Sequence, residues 1–261
     1  HDHCTSRGFP IGGIGTGGFS VFTDGGLGKF RTNHNWFKSI EEAEYPRGSF
    51  WAVWVQSEGK KVAKILRRDF QAGKEFSNVE SIEHAHFRGR VPFFNLDYED
   101  DELSADVTLH GFTSLIPHDI KNSSLPVAFF QLEAKNRNTE ELDVSFLFSF
   151  ENILGMGGSG GWRWIFPFNG PVKYESTKGN YSKNFELNDL QGIEFNTKQH
   201  YGPKNPRRRV IGQYFIYTDA EKSLDCEITR CLEWNSKDNE VEFWEQFKTT
   251  GTLSSLESEG N

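Results

Sequence analysis

Residues 127–151 read VAFFQLEAKNRNTEELDVSFLFSFE and contain two runs in which apolar and polar residues alternate. In the first run Phe130, Leu132 and Ala134 alternate with polar residues, and after a polar interval the alternation resumes over residues 142–150. Successive side chains of a strand point to opposite faces of a sheet, so a period of two indicates a strand with one buried face. The stretch therefore predicts a strand, a turn and a second strand.

Similar patterns recur along the chain. Residues 49–56 read SFWAVWVQ and are apolar at odd and even positions, which is typical of a central strand covered on both faces. Residues 93–98 and 105–112 flank an acidic turn, as the strands of a hairpin do. Residues 214–218 and 224–234 predict one further strand pair.

The period changes only near the C-terminal end. Val241, Trp244 and Phe247 fall at helical spacing behind Asp238 and Asn239, residue types that cap helices, so we expect a short helix near residues 239–248. No repeat of 20 to 50 residues indicates a propeller or a solenoid. The sequence predicts a single all-β domain over residues 1–261, a large two-sheet antiparallel β-sandwich with one short helix near the C-terminus.

Composition agrees with a sheet protein and excludes some partners. Aromatic residues make up 15% of the chain, with 24 Phe and 7 Trp against a single Met, which favours pleated sheets over helix bundles. The net charge of −8 repels phosphate backbones, so we expect no nucleic-acid partner. No run approaches the roughly 18 apolar residues of a membrane span, and we expect no transmembrane segment.

The cysteines indicate the compartment. Cys226 and Cys231 lie five apart in one strand-like run, too far along an extended chain to form a disulfide with each other. Free thiols favour a reducing compartment, and residues 1–4 lack the regions of a signal peptide. We therefore expect a cytoplasmic protein.

Residues 13–18 fit the pattern G-x-G-x-x-G, which binds dinucleotides when it follows a strand and opens a helix. Here residues 19–22 predict a strand instead, so no helix N-terminus would face a pyrophosphate. We interpret the run as a tight loop packed against another segment, and we expect no cofactor.

Three charged groups are interpreted as ordinary surface features. His84 and His86 would share one face of an extended segment, but no further Cys or His lies close enough in sequence to complete a zinc site, so we expect no metal. The acidic residues 97–102 lack the glycine and ligand spacing of a calcium loop and predict a solvated hairpin tip. Lys204 and the basic residues 207–209 lie in a proline-containing loop, either solvated or facing an acidic patch of another domain.

No catalytic residue can be assigned from the sequence. We assign no serine nucleophile of the elbow type. Hydrolysis of a glycoside with retention needs two carboxyl groups about 5.5 Å apart across the sugar. Glu151, at the end of a predicted strand, is the one carboxylate we considered, and no partner for it can be named.

Two glycine-rich runs are the candidate functional loops. Gly13, Gly15 and Gly17 belong to the first, and residues 155–161 form the second, which Trp162, Arg163 and Trp164 follow. Glycine lets two backbones approach closely, and tryptophan and arginine dominate buried interfaces, although the tryptophans could equally fill the core. We hypothesise that both loops lie at one end of the sandwich and face another domain or a sugar.

Residues 8–15 read GFPIGGIG and resemble the "GIPLGGIG" opening of glycoside hydrolase family 116, which includes bacterial β-glucosidases and the non-lysosomal glucosylceramidase. Residues 49–52 resemble the family's "SFFA" strand. Residues 112–155 resemble its "F.PFIP…LPVA…SWEN..G" run, and residues 243–247 its "W..F". The four segments occur in the family's order along nearly the whole chain, whereas residues 173–204 form a loop without a counterpart.

The resemblance implies a β-sandwich that precedes a barrel of paired α-helices, which carries the glutamate nucleophile and the aspartate acid/base of a retaining β-glycosidase. Neither carboxylate can be carried over onto a residue of this chain. We therefore expect an accessory domain that packs against a helical catalytic domain and shapes its active-site side. A β-glucoside or a glucosylceramide-type substrate would bind through that partner. The alternative is an independent carbohydrate-binding or protein-interaction module built on the same sandwich.

Overall fold

The computed structural model of the protein describes residues 8–31, 48–68, 79–154, 179–200, 212–220, 226–233 and 240–254. Within these ranges the chain forms thirteen strands and two helices. In chain order they are β1 (Phe9–Ile11), β2 (Phe19–Val21), β3 (Leu27–Gly28), β4 (Phe50–Ser57), β5 (Lys60–Ile65), β6 (His84–Arg90), β7 (Phe93–Glu99), β8 (Ala105–Phe112), α1 (Ile120–Ser123), β9 (Phe129–Asn136), β10 (Asp143–Ser149), β11 (Asn180–Leu187), β12 (Leu190–Thr197), β13 (Tyr214–Thr218) and α2 (Glu240–Thr250).

The strands form four antiparallel sheets, with the orders β1-β2-β3, β10-β4-β5, β6-β7-β8-β9 and β11-β12-β13. Side chains of β4 and β10 face those of β7, β8 and β9 across the main core, and β1 to β3 close one of its ends. The predicted all-β sandwich is confirmed. Among the described residues the four-residue helix α1 is an addition that the sequence did not indicate.

Strand β4 is buried on both faces, as its sequence predicts. Trp51, Val53 and Val55 point into the main core, where Trp51 stacks on Phe148 of β10 at 3.8 Å between ring centroids. The intervening residues of β4 form a second core against α2, whose Trp244 is one of its buried residues. The helix lies at residues 240–250, so the predicted C-terminal helix is confirmed.

The stretch 127–151 forms the predicted strand, turn and strand, but the two strands do not pair with each other. β9 pairs with β8 and β10 pairs with β4, so the turn between them carries the chain from one sheet of the sandwich to the other. Asn136 holds this turn by donating from Nδ2 to the carbonyl oxygen of Glu140 at 2.6 Å. Both strands bury one face in the same core, which explains why their alternation resembles that of a hairpin.

Two expectations for the second half of the chain are wrong. Residues 180–197, expected to lie in a loop, form the hairpin β11–β12 instead. The sequence hides this hairpin because polar residues occur on both faces of β11. Residues 226–233, expected to be a strand, have no regular secondary structure, and Arg230 among them forms an ion pair with Glu186 of β11. Cys226 is a free thiol, as predicted, and no disulfide joins it to Cys231.

The acidic turn after β7 is not simply solvated. Asp100 is only 5% exposed and lies 3.7 Å from Nζ of the buried Lys64, which also forms ion pairs with Glu80 and Glu102. Burial opposes the charge of Lys64, but the hydrogen bonds to Glu102 and Glu80 and the nearby Asp100 outweigh it, so the pKa of Lys64 is raised. The turn therefore ties β7 to β5, a correction to the predicted hairpin tip.

Tyr98 of β7 offers a test of core energetics. Its hydroxyl is fully buried and has no hydrogen-bond partner among the residues that the structure describes, and burial raises its pKa. A buried polar group without a partner destabilises a fold, so Tyr98→Phe is expected to raise the free energy of unfolding by about 1 kcal/mol. Urea denaturation of the variant and of the unaltered chain measures this difference in the free energy of unfolding. Tyr217→Phe, at a tyrosine 44% exposed, is the matched control and should change little; a destabilised Tyr98→Phe would contradict the argument.

Candidate functional site

The first glycine-rich run forms the loop between β1 and β2, at residues 12–18. Gly15 has a φ of 73° and Gly17 a φ of 95°, left-handed conformations that residues with a Cβ rarely adopt. Gly13 is required for a different reason, since a Cβ there would lie 2.3 Å from the carbonyl oxygen of Leu125. The loop is thus packed against another segment, and β2 rather than a helix follows it, as predicted.

The segment on which the loop packs joins β8 to β9. The backbone N–H of Ile14 donates to the carbonyl oxygen of Ser123 at 2.8 Å, and the hydroxyl of Thr113 donates to the carbonyl oxygen of Gly12. The backbone N–H of Thr113 in turn donates to Pro92, in the turn between β6 and β7, at 3.2 Å. Three connections of the fold are therefore hydrogen-bonded to one another.

Helix α1 lies within this segment and is held by local side chains. Asp119 caps it by accepting from the backbone N–H of Asn122 at 3.0 Å, and this bond lowers the pKa of Asp119. The hydroxyl of Ser123 accepts from the backbone N–H of Ile116 at 2.9 Å and donates to its carbonyl oxygen at 3.0 Å. These bonds hold the short helix in place while the side chain of Ile120 is 79% exposed.

Exposed apolar side chains are concentrated around these three connections. Of the thirteen large apolar side chains exposed in the described part of the chain, nine belong to them or to the adjoining strand ends. The nine are Ile14, Val91, Phe93, Phe112, Leu115, Ile116, Ile120, Leu125 and Phe129. We call this surface the glycine end, comprising residues 12–18, 91–93 and 112–129.

Three phenylalanines form a row across the sheet at the glycine end. Phe93, Phe112 and Phe129 are cross-strand partners on β7, β8 and β9. The rings of Phe112 and Phe129 stack at 4.7 Å with an interplanar angle of 11°. A ring that stacks on its neighbour turns one face away from solvent, so Phe112 and Phe129 each have one face covered by the other. This arrangement suits packing against another protein surface better than stacking on a sugar.

Aromatic contacts link the end of the first glycine loop to the segment that follows β10. Phe19, directly after the first loop, stacks on Phe30 at 5.1 Å, and Phe30 contacts Phe150 at 5.8 Å. Phe150 precedes residues 151–154, the last described residues before that run. Trp162, Arg163 and Trp164 lie outside the described residues, as do Lys204 and the basic residues 207–209.

The other candidate residues lie elsewhere and form no common site. His84 and His86 are exposed on β6, and Nε2 of His86 lies 3.3 Å from a carboxylate oxygen of Glu99. In the described ranges no group of three or more His, Cys, Asp or Glu side chains could hold a metal ion. Glu151 is half-buried, and its backbone N–H donates to the hydroxyl of Ser49 at 2.9 Å.

Comparison with known protein families agrees with the resemblance carried by the quoted segments. A family model described as "beta-glucosidase 2, glycosyl-hydrolase family 116 N-term" matches residues 8–261. The chain belongs to this family. Membership of an N-terminal-domain family of glycosyl hydrolases implies a catalytic partner domain.

The apolar surface of this family 116 domain was missed by the sequence reasoning. Residues 112–129 were assigned to the family resemblance, but their exposed side chains were not identified as a site. A signal was present, since Leu115, Ile116, Ile120 and Leu125 are large apolar residues in a segment without a strand pattern. A connection between strands is normally polar, so such a run indicates either a covered loop or a binding surface.

Neither of the two helices in the described part of the chain has the length and apolar character of a membrane-spanning helix.

The close approach at Gly13 can be tested against Gly15 in the same loop. Gly13→Ala would place a Cβ against backbone and the Thr16 hydroxyl, so it should lower the free energy of unfolding by about 2 to 3 kcal/mol. A Cβ at Gly15 would meet nothing within 4 Å, so Gly15→Ala should cost only about 1 kcal/mol for its left-handed backbone. Urea denaturation of both variants compares the two costs. A larger loss in Gly15→Ala than in Gly13→Ala would show that the loop is not packed as described.

Proposed function

We propose that this chain is the accessory N-terminal domain of a retaining β-glycosidase of the β-glucosidase or glucosylceramidase type. In this proposal residues 1–261 form one domain that carries no catalytic carboxylate. Its glycine end packs against the helical catalytic domain and shapes the side of that domain on which the active site opens. The β-glucoside or glucosylceramide-type substrate binds through the helical domain.

The concentration of exposed apolar side chains at the glycine end carries the proposal. Exposed apolar residues that occur singly need no explanation, whereas a contiguous apolar surface marks an interaction site. Here nine such residues surround three hydrogen-bonded connections, with Ile120 the most exposed of them. A domain whose family has a catalytic partner has a use for such a surface, because contacts between domains cover apolar area.

The rigidity of the glycine end also supports a docking role. A surface that is already ordered loses little conformational freedom when a partner binds, and this preserves affinity. The cap at Asp119, the paired bonds of Ser123 and the close approach at Gly13 all order this surface in the free chain. The proposed interface also includes Gly17 and, outside the described residues, Trp162, Arg163 and Trp164.

Hydrolytic activity tests the accessory role. The purified 261-residue chain is expected to release no aryl group from an aryl β-glucoside, because retention requires two opposed carboxyl groups and this chain carries no assignable pair. The measurement compares release by the purified chain with a preparation from cells that carry an empty vector. Turnover above that preparation would place catalysis in this chain and overturn the proposal.

Charged substitutions at the glycine end test the interface. Ile116→Asp with Ile120→Asp is expected to weaken binding to a separately expressed helical catalytic domain about tenfold or more, because each would bury a charge in an apolar contact. Both side chains are exposed, so the stability of the free chain should change by less than about 0.5 kcal/mol per site. Leu187→Asp, at a residue 54% exposed on β11, is the control and should leave binding unchanged. Surface plasmon resonance measures the affinities, and equal binding by the double variant and the unaltered chain would assign docking to another face.

A further inference from the structure

The β11-β12-β13 sheet exposes a second group of aromatic side chains, on residues outside the glycine end. One face of this sheet packs inward, where Phe195 contacts Phe150 and Tyr214 packs against the main core. On the opposite face Phe215 is 43% and Tyr217 44% exposed. The two residues are two positions apart on β13, so their side chains point to the same side of the sheet.

A glycine lies between the aromatic rings of this face. Phe185 of β11, Gly192 of β12 and Tyr217 of β13 are cross-strand partners. A Cβ at Gly192 would lie 1.9 Å from the carbonyl oxygen of Ile216, so no other residue fits there without moving a strand. Because Gly192 has no side chain, the ring centroids of Phe185 and Tyr217 come within 6.1 Å, and Phe185 contacts Phe215 at 5.0 Å. The result is a shallow surface of three rings over bare backbone.

Polar groups continue the same face next to the rings. Glu194 of β12 is the cross-strand partner of Phe215 and is only 8% exposed. Its Oε1 accepts from Nδ2 of Asn196 at 2.7 Å and from Nε2 of Gln213 at 2.9 Å, and its Oε2 lies 3.0 Å from Nζ of Lys183. The bond from Asn196 above all, and then Lys183, lower the pKa of Glu194. A paired carboxylate thus fixes the orientation of two amides.

The amide of Gln213 has unused hydrogen-bonding capacity. Its Nε2 donates to Glu194 and, at 3.0 Å, to Oδ1 of Asn196, so both hydrogens have acceptors. Its carbonyl oxygen accepts from no group of the described residues, and the residue is exposed. An acceptor held in place beside exposed rings is an arrangement that binds a hydroxyl group.

We propose that this face binds a neutral saccharide, one apolar sugar face resting on Tyr217 and Phe215 and a hydroxyl group donating to Gln213. Sugars combine apolar C–H faces with hydroxyl groups, and this surface offers the complement of both within one cross-strand row. The ion pair of Glu194 with Lys183 cancels locally and the chain has a net charge of −8, so an anionic sugar is disfavoured. Protein docking fits less well, because the centres of protein interfaces are depleted of charged residues.

Binding of cellobiose and of methyl β-D-glucopyranoside to the 261-residue chain tests the proposal. Saturation-transfer NMR detects binding to the unaltered chain, and calorimetry measures the dissociation constant. Tyr217→Ala and Gln213→Ala should each weaken binding about tenfold, while Tyr217→Phe, which keeps the ring, should bind within about twofold. Phe93→Ala removes a ring that is more exposed than that of Tyr217, from the glycine end, and should have no effect.

The sugar titration uses no catalytic domain, so its result tests the saccharide site independently of the proposed accessory role. Gln213 is exposed, so its truncation should leave the fold intact, and thermal unfolding checks each variant. No binding of either sugar at millimolar concentration would overturn the proposal. Unchanged binding by Gln213→Ala and Tyr217→Ala with loss in Phe93→Ala would place the sugar at the glycine end. Loss of catalytic-domain binding in Tyr217→Ala would show that this face docks protein instead.

Discussion

Burial of β4 on both faces is the constraint on which the rest of the structure depends. One face of this strand closes the main core against the four-stranded sheet, and the other receives α2. Trp54 joins strand and helix, since its Nε1 donates to the carbonyl oxygen of Lys248 at 3.0 Å. The helix ends against the same ring: Gly251 has a φ of 71°, and a Cβ there would lie 2.6 Å from a ring carbon of Trp54. Helix α2 thus packs directly on a central strand of the sheet, so it belongs to the core rather than to the surface.

That core also determines where the exposed features lie. The chain crosses from one sheet to the other between β9 and β10. β10 therefore ends near Phe30 and Phe150, on the side of the sandwich where the first glycine loop lies. The glycine end therefore collects segments that are distant in sequence, joined by backbone hydrogen bonds such as that from Ile14 to Ser123. The glycines let these connections pack closely on one another. The apolar side chains face outward because side chains of the strands already fill the interior.

The two exposed surfaces differ in the chemistry they present. At the glycine end most of the exposed side chains are apolar, and the rings of Phe112 and Phe129 stack on each other. On the β11-β12-β13 sheet the rings adjoin an ion pair and oriented amides. A surface with many exposed apolar side chains favours a large protein contact, whereas rings beside fixed polar groups favour a small hydroxylated ligand. The two surfaces therefore suit different partners, and one does not substitute for the other.

The sequence by itself determined the features that depend on local periodicity: most strands of the sandwich, the two-sided burial of residues 50–55 and the C-terminal helix. The family followed from the four segments that resemble it. Alternation reports burial of a strand's faces directly, so these predictions needed no knowledge of which strands pair. Pairing, by contrast, was decided by the tertiary structure, which placed β9 and β10 in different sheets and made a hairpin of residues 180–197. The same holds for Asp100, buried by Lys64, and for both exposed surfaces. Each of these depends on residues far apart in the chain, and no local pattern records which distant groups meet or which apolar side chains remain uncovered.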